Sequence, residues 1–172
     1  MKDSYSPNEI VVIDVEASGL DLDVSYPIEV AWLSLSGESD EFLVNPESTT
    51  GWDHWDQFAE DSIHHISRNE CVKNGLTVEQ AAKRLSSQLC GCLVVSDGMS
   101  HDKTWLTKLF HKAGEQVNFD TISIHDFVTS LGHHPDLITQ YYREKRNLDV
   151  KHRAMSDCEM SLRIIKEIGI IN

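Results

Sequence analysis

The sequence predicts an α/β domain built on a mixed sheet flanked by helices, and two features carry that reading. The first quarter of the chain holds apolar, β-branched runs punctuated by Gly and Pro: EIVVIDVEASG, then YPIEVAWLSLSG followed by ESDEFLVNP. From residue 77 onward, stretches with helical spacing alternate with short β-branched runs. Antiparallel strands followed by alternating helices and strands argue for a mixed sheet with helices packed on it. At 172 residues the chain is long enough for one domain with a proper core and too short for two, so residues 1–172 read as a single domain.

The elements follow in order. EIVVIDVEASG reads as one strand, and the next two runs as a hairpin closed by a Gly-containing turn. Residues 49–67, TTGWDHWDQFAEDSIHHIS, lose periodicity and read as a loop with a short helical turn. TVEQAAKRLSSQL is a helix that Thr77 can cap, with Gln80 as its capping-box partner. CLVVSDG is a short buried strand, and HDKTWLTKLFHKAG an amphipathic helix ended by Gly114. VNFDTISIHDF continues the alternation. Two helical stretches close the chain, PDLITQYYREK and HRAMSDCEMSLRIIKEIG, the second with Met160, Ile164, Ile165 and Ile168 on one face.

Composition narrows the function classes. An apolar fraction of 40% and a charged fraction of 25% are ordinary globular values. The net charge of −13 opposes tight nonspecific attraction to duplex DNA, so a nucleic-acid partner would have to be engaged locally. Clustered carboxylates that hold divalent cations would contribute to such a balance and still present a positive site once loaded. Cys71, Cys90, Cys92 and Cys158 form no C-x-x-C pair and read as buried or free thiols of a reducing compartment. The N-terminus has no apolar signal core and no apolar run approaches the ~20 residues that span a bilayer, so a soluble, cytoplasmic protein is expected.

Asp14 and Glu16 stand two residues apart at the end of the first strand, which puts both carboxylates on one face. Such a pair repels, and a divalent cation would relieve it; exposed polar residues at a strand end are the plainer reading of D-x-E alone. Asp102 opens a helix, where an acid is favoured by the dipole whether or not it has another role. Asp157 lies four residues after Arg153, a spacing that also suits an ion pair worth a few tenths of a kcal/mol.

Taken together, D-x-E-x-x-G on the first strand, D-x-x-W-L opening a middle helix and H-R-A-x-x-D opening the last helix resemble the DEDDh family of 3′-5′ exonucleases, which includes the proofreading subunit of the bacterial replicative polymerase, ribonuclease T and oligoribonuclease. DVEASGLD is similar to the first motif, HDKTWL to the second and HRAMSDC to the third, while PIEVAWLSL and FLVNP resemble the family's next two strands. The resemblance covers most of the chain. It implies a ribonuclease H-like fold, a mixed sheet of about five strands with helices on both sides. It further implies that Asp14, Glu16, Asp102 and Asp157 bind two divalent cations, Mg²⁺ or Mn²⁺, and that His152 is the general base. The chemistry is coherent: two cations about 3.5–4 Å apart suit in-line phosphodiester displacement, and a histidine with an ordinary pKa near ~6.5 can take a proton from water.

The second motif departs from the family, with Gly98 where Asn is frequent and His101 where Phe is frequent. IHHIS, residues 63–67, resembles the family's H-G-I-T segment that touches the terminal nucleotide, with His65 in place of Gly, and implies that His64 and Ile66 line the site. Other residues have bland readings. His133 and His134 suit a surface turn, Trp52 and Trp55 suit hydrophobic cover for the sheet or base stacking, and the basic cluster YYREKR, residues 141–146, suits a solvated helix face or a seat for a phosphate backbone.

The expectation is therefore a metal-dependent 3′-5′ exonuclease that releases nucleoside monophosphates from the 3′ ends of single-stranded DNA or RNA. Two alternatives stay open: a catalytically silent binding module of the same fold, and a hydrolase of very short oligonucleotides or dinucleotides. A homodimer is compatible with the resemblance, and no membrane partner is expected.

Overall fold

The computed structural model describes residues 5–148 and 152–171. Five strands form one sheet in the order β3-β2-β1-β4-β5: β1 (Ile10–Ala17), β2 (Pro27–Ser34), β3 (Ser39–Leu43), β4 (Leu93–Ser96) and β5 (Asp120–Ser123). β1, β2 and β3 run antiparallel in sequence, whereas β4 and β5 join β1's free edge in parallel. The mixed sheet flanked by helices is thus the architecture observed, and it is ribonuclease H-like.

The strand period of two divides the core. Val11, Ile13 and Val15 of β1 face one layer, where α3 (Val78–Gln88) and α4 (Met99–Ala113) supply Leu85, Trp105, Leu109 and Phe110. Val12 faces the other layer, where α5 (Ile124–Ser130), α6 (Asp136–Arg146) and α7 (Ala154–Glu167) supply Phe127, Tyr141, Ile164 and Ile165. The even positions of β1 continue as Asp14 and Glu16. Alternation alone therefore aims two carboxylates at the α7 layer. Pairing with β2 slips at a bulge between Glu16 and Ala17, which ends the regular ladder just past the second carboxylate.

Helix ends follow their sequence signals. Thr77 and Gln80 make both halves of the capping box on α3, and Gly114 closes α4 with φ +68°. Residues 49–67 hold the short helical turn expected there, and two other elements differ from the sequence reading. Residues 57–64 form a turn of helix, α1 (Gln57–Ala59), running into a π-helical turn (Glu60–His64), and α2 (Arg68–Asn74) follows at once, capped by Ser67. β5 is only four residues long, because Ser123 accepts a hydrogen bond from Asp126 N (3.0 Å) and starts α5 where the β-branched run TISI suggested more strand. The capping serine outweighs local β propensity.

The start of α7 is fixed by a residue 125 positions earlier. Glu29, on β2 and 1% exposed, accepts from Arg153 Nη2 (2.5 Å), from Arg153 Nε (3.0 and 3.1 Å) and from the backbone N–H of Ala154 (3.0 Å). It neutralises a guanidinium and satisfies a helix N-terminal donor at once. Glu29→Ala leaves both unpaired, and breaking such a pair costs about 3–5 kcal/mol. A thermal melt is expected to fall by roughly 2–4 °C for each kcal/mol; a melt within a degree of the parent would mean that the clasp holds nothing in place.

Candidate active site

Asp14 and Glu16 at the end of β1 meet Asp157 from the first turn of α7, and one oxygen from each of the three lies within 4.8 Å of the others. Asp102 comes from the first turn of α4 and is 4% exposed. Its carboxylate takes hydrogen bonds from the Ser96 hydroxyl and from the backbone of Val15, between the two β1 acids. Asp102 is therefore no solvent-facing helix cap. Its side chain turns inward to the carboxylate cluster.

Electrostatics make this arrangement costly. Burial first, then the neighbouring Asp102, Glu16 and Asp157 charges, hold the Asp14 carboxyl well above its usual range. Burial and the Asp157 and Glu29 charges push Glu16 up to about 8. Burial likewise takes Asp102 to about 7, against the hydrogen bond from Ser96. Asp157 is raised by burial and pulled down by Lys145 and His152. Its Oδ2 is buried and, among the described residues, has no hydrogen-bond partner. Hard oxygen donors that repel one another, one of them orphaned, fit a divalent cation of the Mg²⁺ or Mn²⁺ type.

The pH dependence follows with its sign. Glu16 and Asp102 have folded pKa values raised above those of the unfolded chain, so the metal-free fold binds more protons than the unfolded chain across that interval. Their contribution is best at low pH and is lost as pH climbs from about 4 through 8. In chelator, the melting temperature is expected to fall between pH 5.5 and 8. Added Mg²⁺ is expected to raise it more at pH 8 than at pH 5.5, and a melt that rises steadily with pH in chelator would contradict the crowding of these acids.

His152 is exposed and stands two residues ahead of α7, close enough to bias Asp157. The sequence-level ion pair between Arg153 and Asp157 is not formed. Arg153 turns to Glu29, and the cation beside Asp157 is Lys145, with Nζ 3.7 Å from Oδ1. His64 is buried; its Nδ1 accepts from Ile66 N (3.0 Å), while Nε2 has no partner among the described residues. It lines a cavity of about 130 Å³ with Glu16, Leu20, His101 and Trp105. Ile66 is not among the residues that line this cavity. Its side chain is fully buried in the β1/α3/α4 core, and only its backbone reaches His64. Between them His65 adopts the left-handed conformation, φ 56°, ψ 27°, which explains why glycine suits that position.

The two tryptophans of the irregular segment are held differently. Trp52 is buried and stacks on Tyr26 with centroids 4.9 Å apart, and half-buried Trp55 donates to Glu60 (2.7 Å) and meets His64 edge-on. Cys71, Cys92 and Cys158 are buried, and Cys90 is exposed. Three residues beside the carboxylates were not assigned to them in the sequence reading. Lys145 and Tyr141 sit four apart on α6, a spacing that places them on one face; Glu29 is an acid inside the apolar strand PIEVAW.

The family model for exonucleases of the RNase T group matches residues 11–165. The chain belongs to this exonuclease family. The motif resemblance to DEDDh exonucleases is thereby borne out. Among solved structures, the exonuclease fold is similar to a zinc-bound complex of E. coli exonuclease I with single-stranded DNA (TM-score 0.68, 14% identity, 93% of this chain and 40% of that one). It is also similar to E. coli exonuclease I with a dA16 oligonucleotide (TM-score 0.68, 16% identity, 93% and 41%) and to exonuclease I from Methylocaldum szegediense (TM-score 0.66, 16% identity, 92% and 40%). The chain spans about two fifths of the length of these proteins. No curated protein matches it by sequence. No helix among the described residues is long and apolar enough to cross a membrane.

Proposed function

We propose that this exonuclease-family domain is a metal-dependent 3′-5′ exonuclease of the DEDDh type, releasing nucleoside monophosphates from the ends of single-stranded DNA or RNA. The observation that carries the reading is the convergence of Asp14, Glu16 and Asp157 within 4.8 Å, with buried Asp102 behind them and an orphaned Asp157 oxygen among them. These four side chains would hold two Mg²⁺ or Mn²⁺ ions. Such ions supply charge neutralisation at the scissile phosphate and at the departing 3′ oxygen. His152, exposed and unconstrained by helix geometry, takes the proton of the attacking water. The cavity between Leu20, His64, His101 and Trp105 opens beside Glu16 and is placed to receive the terminal nucleoside.

Single strands suit the charge of the chain. A net charge of −13 opposes nonspecific attraction to long duplex, and the solved neighbours named for single-stranded DNA point the same way. The test is a gel time course on 5′-labelled single-stranded DNA and RNA of one sequence, with Mg²⁺, with Mn²⁺ and with chelator. A ladder shortening from the 3′ end only when metal is present is the expected result and reads out the preferred sugar. Intact substrate under every metal would overturn it in favour of a binding module or of a much shorter substrate.

A further inference from the structure

An ammonium group is built into the carboxylate site. Lys145, in the last turn of α6, places Nζ 2.5 Å from Asp97 Oδ2 and 3.7 Å from Asp157 Oδ1, with its side chain 25% exposed. Asp97 follows β4 and precedes the first turn of α4, so it stands between Ser96, which holds Asp102, and the helix that carries Asp102. It is itself clamped. The hydroxyl of fully buried Tyr141 donates to Asp97 Oδ2 (2.9 Å) and lies 2.8 Å from Ser161 Oγ, one turn beyond Asp157 on α7. Lys145 is thus held by a fixed carboxylate on one side and leans toward a metal-type carboxylate on the other.

We propose that Lys145 is a positioning residue that competes with one of the two divalent cations at Asp157, so that this ion binds weakly and the Asp97 carboxylate sets how weakly. The inference rests on the metal-site reading given above. Its logic is Coulombic. A cation entering beside Asp157 Oδ1 meets an ammonium a few ångströms away, and the repulsion between charges of +2 and +1 at about 5 Å in a wet cleft is enough to change affinity by roughly tenfold. Asp97 moderates it, because the more firmly it holds Lys145, the less that ammonium occupies Asp157. The two partners therefore act with opposite sign: loss of Lys145 opens the position, and loss of Asp97 releases Lys145 onto Asp157 and closes it.

Calorimetric titration of the metal-free protein with Mn²⁺ tests this without reference to turnover. Lys145→Met is expected to tighten the weaker of the two binding phases about three- to tenfold, and Asp97→Asn to loosen it by a similar factor, with the tighter phase moving less in both. General damage to the fold would loosen both variants, so a common loss of affinity overturns the proposal, as does an unchanged isotherm for Lys145→Met while the parent binds two ions and degrades single strands. A parent protein that binds no Mn²⁺ at all would remove the metal reading and this inference with it. The first two outcomes leave the exonuclease reading intact; only the third takes it away.

Discussion

Asp157→Asn is expected to reduce cleavage of single-stranded substrate by about 10³-fold or more and, in the same protein, to raise the melting temperature measured in chelator. The loss follows from removing an anionic ligand. Metal stabilisation of a phosphoryl transition state is worth several kcal/mol, and about 4 kcal/mol is three orders of magnitude in rate. The gain has the opposite origin. Asp157 Oδ2 is buried without a partner among the described residues, and its charge raises the proton affinity of Asp14 and Glu16. An amide removes that charge and offers two donors to the neighbouring carboxylates, so each kcal/mol recovered should appear as roughly 2–4 °C. Scanning calorimetry with and without Mg²⁺ separates the two effects. Cleavage that survives would exclude Asp157 as a ligand, and a lower melt in chelator would mean that the site is not under electrostatic load.

His152→Ala is expected to slow hydrolysis by ~10²–10⁴-fold, the usual range for loss of a general base, while leaving the Mn²⁺ isotherm and the melt close to those of the parent. The side chain is exposed and lies outside α7, so its truncation uncovers little among the described residues. That separation gives the test its force: Asp14, Glu16 and Asp157 variants change binding and turnover together, whereas this one changes turnover alone. Unchanged single-turnover rates would transfer the proton to bulk solvent and leave the carboxylates as the whole of the machinery.

Much of this site was legible in the sequence because its parts obey local periodicities. Asp14 and Glu16 share a face through the two-residue repeat of a strand, and Asp102 and Asp157 occupy first turns of helices with recognisable beginnings. What stayed hidden has no local signature. Lys145 pairs with Asp97 across 48 positions and Arg153 with Glu29 across 124, and neither pairing leaves a pattern along the chain. Arg153 had a plausible partner four residues away, yet the buried carboxylate on β2 offers it four contacts within 3.1 Å, counting the neighbouring Ala154 N–H, which an exposed helical pair cannot match. Ile66 and His64 part company for a related reason. The segment resembles one that touches the terminal nucleotide, but the left-handed turn at His65 sends His64 to the cavity and Ile66 into the core.

The clasp of Glu29 on the start of α7 also bears on when activity can arise. β1, β2 and β3 are neighbours in the chain and can pair as a meander while synthesis is still under way. Asp157 and His152 cannot join them until α7 has been made, and Glu29 has no guanidinium partner until Arg153 arrives. Contacts of such long sequence separation close late in folding. The carboxylate cluster is thus complete only once α7 has joined the sheet, and a nascent or clipped chain without α7 would lack Asp157.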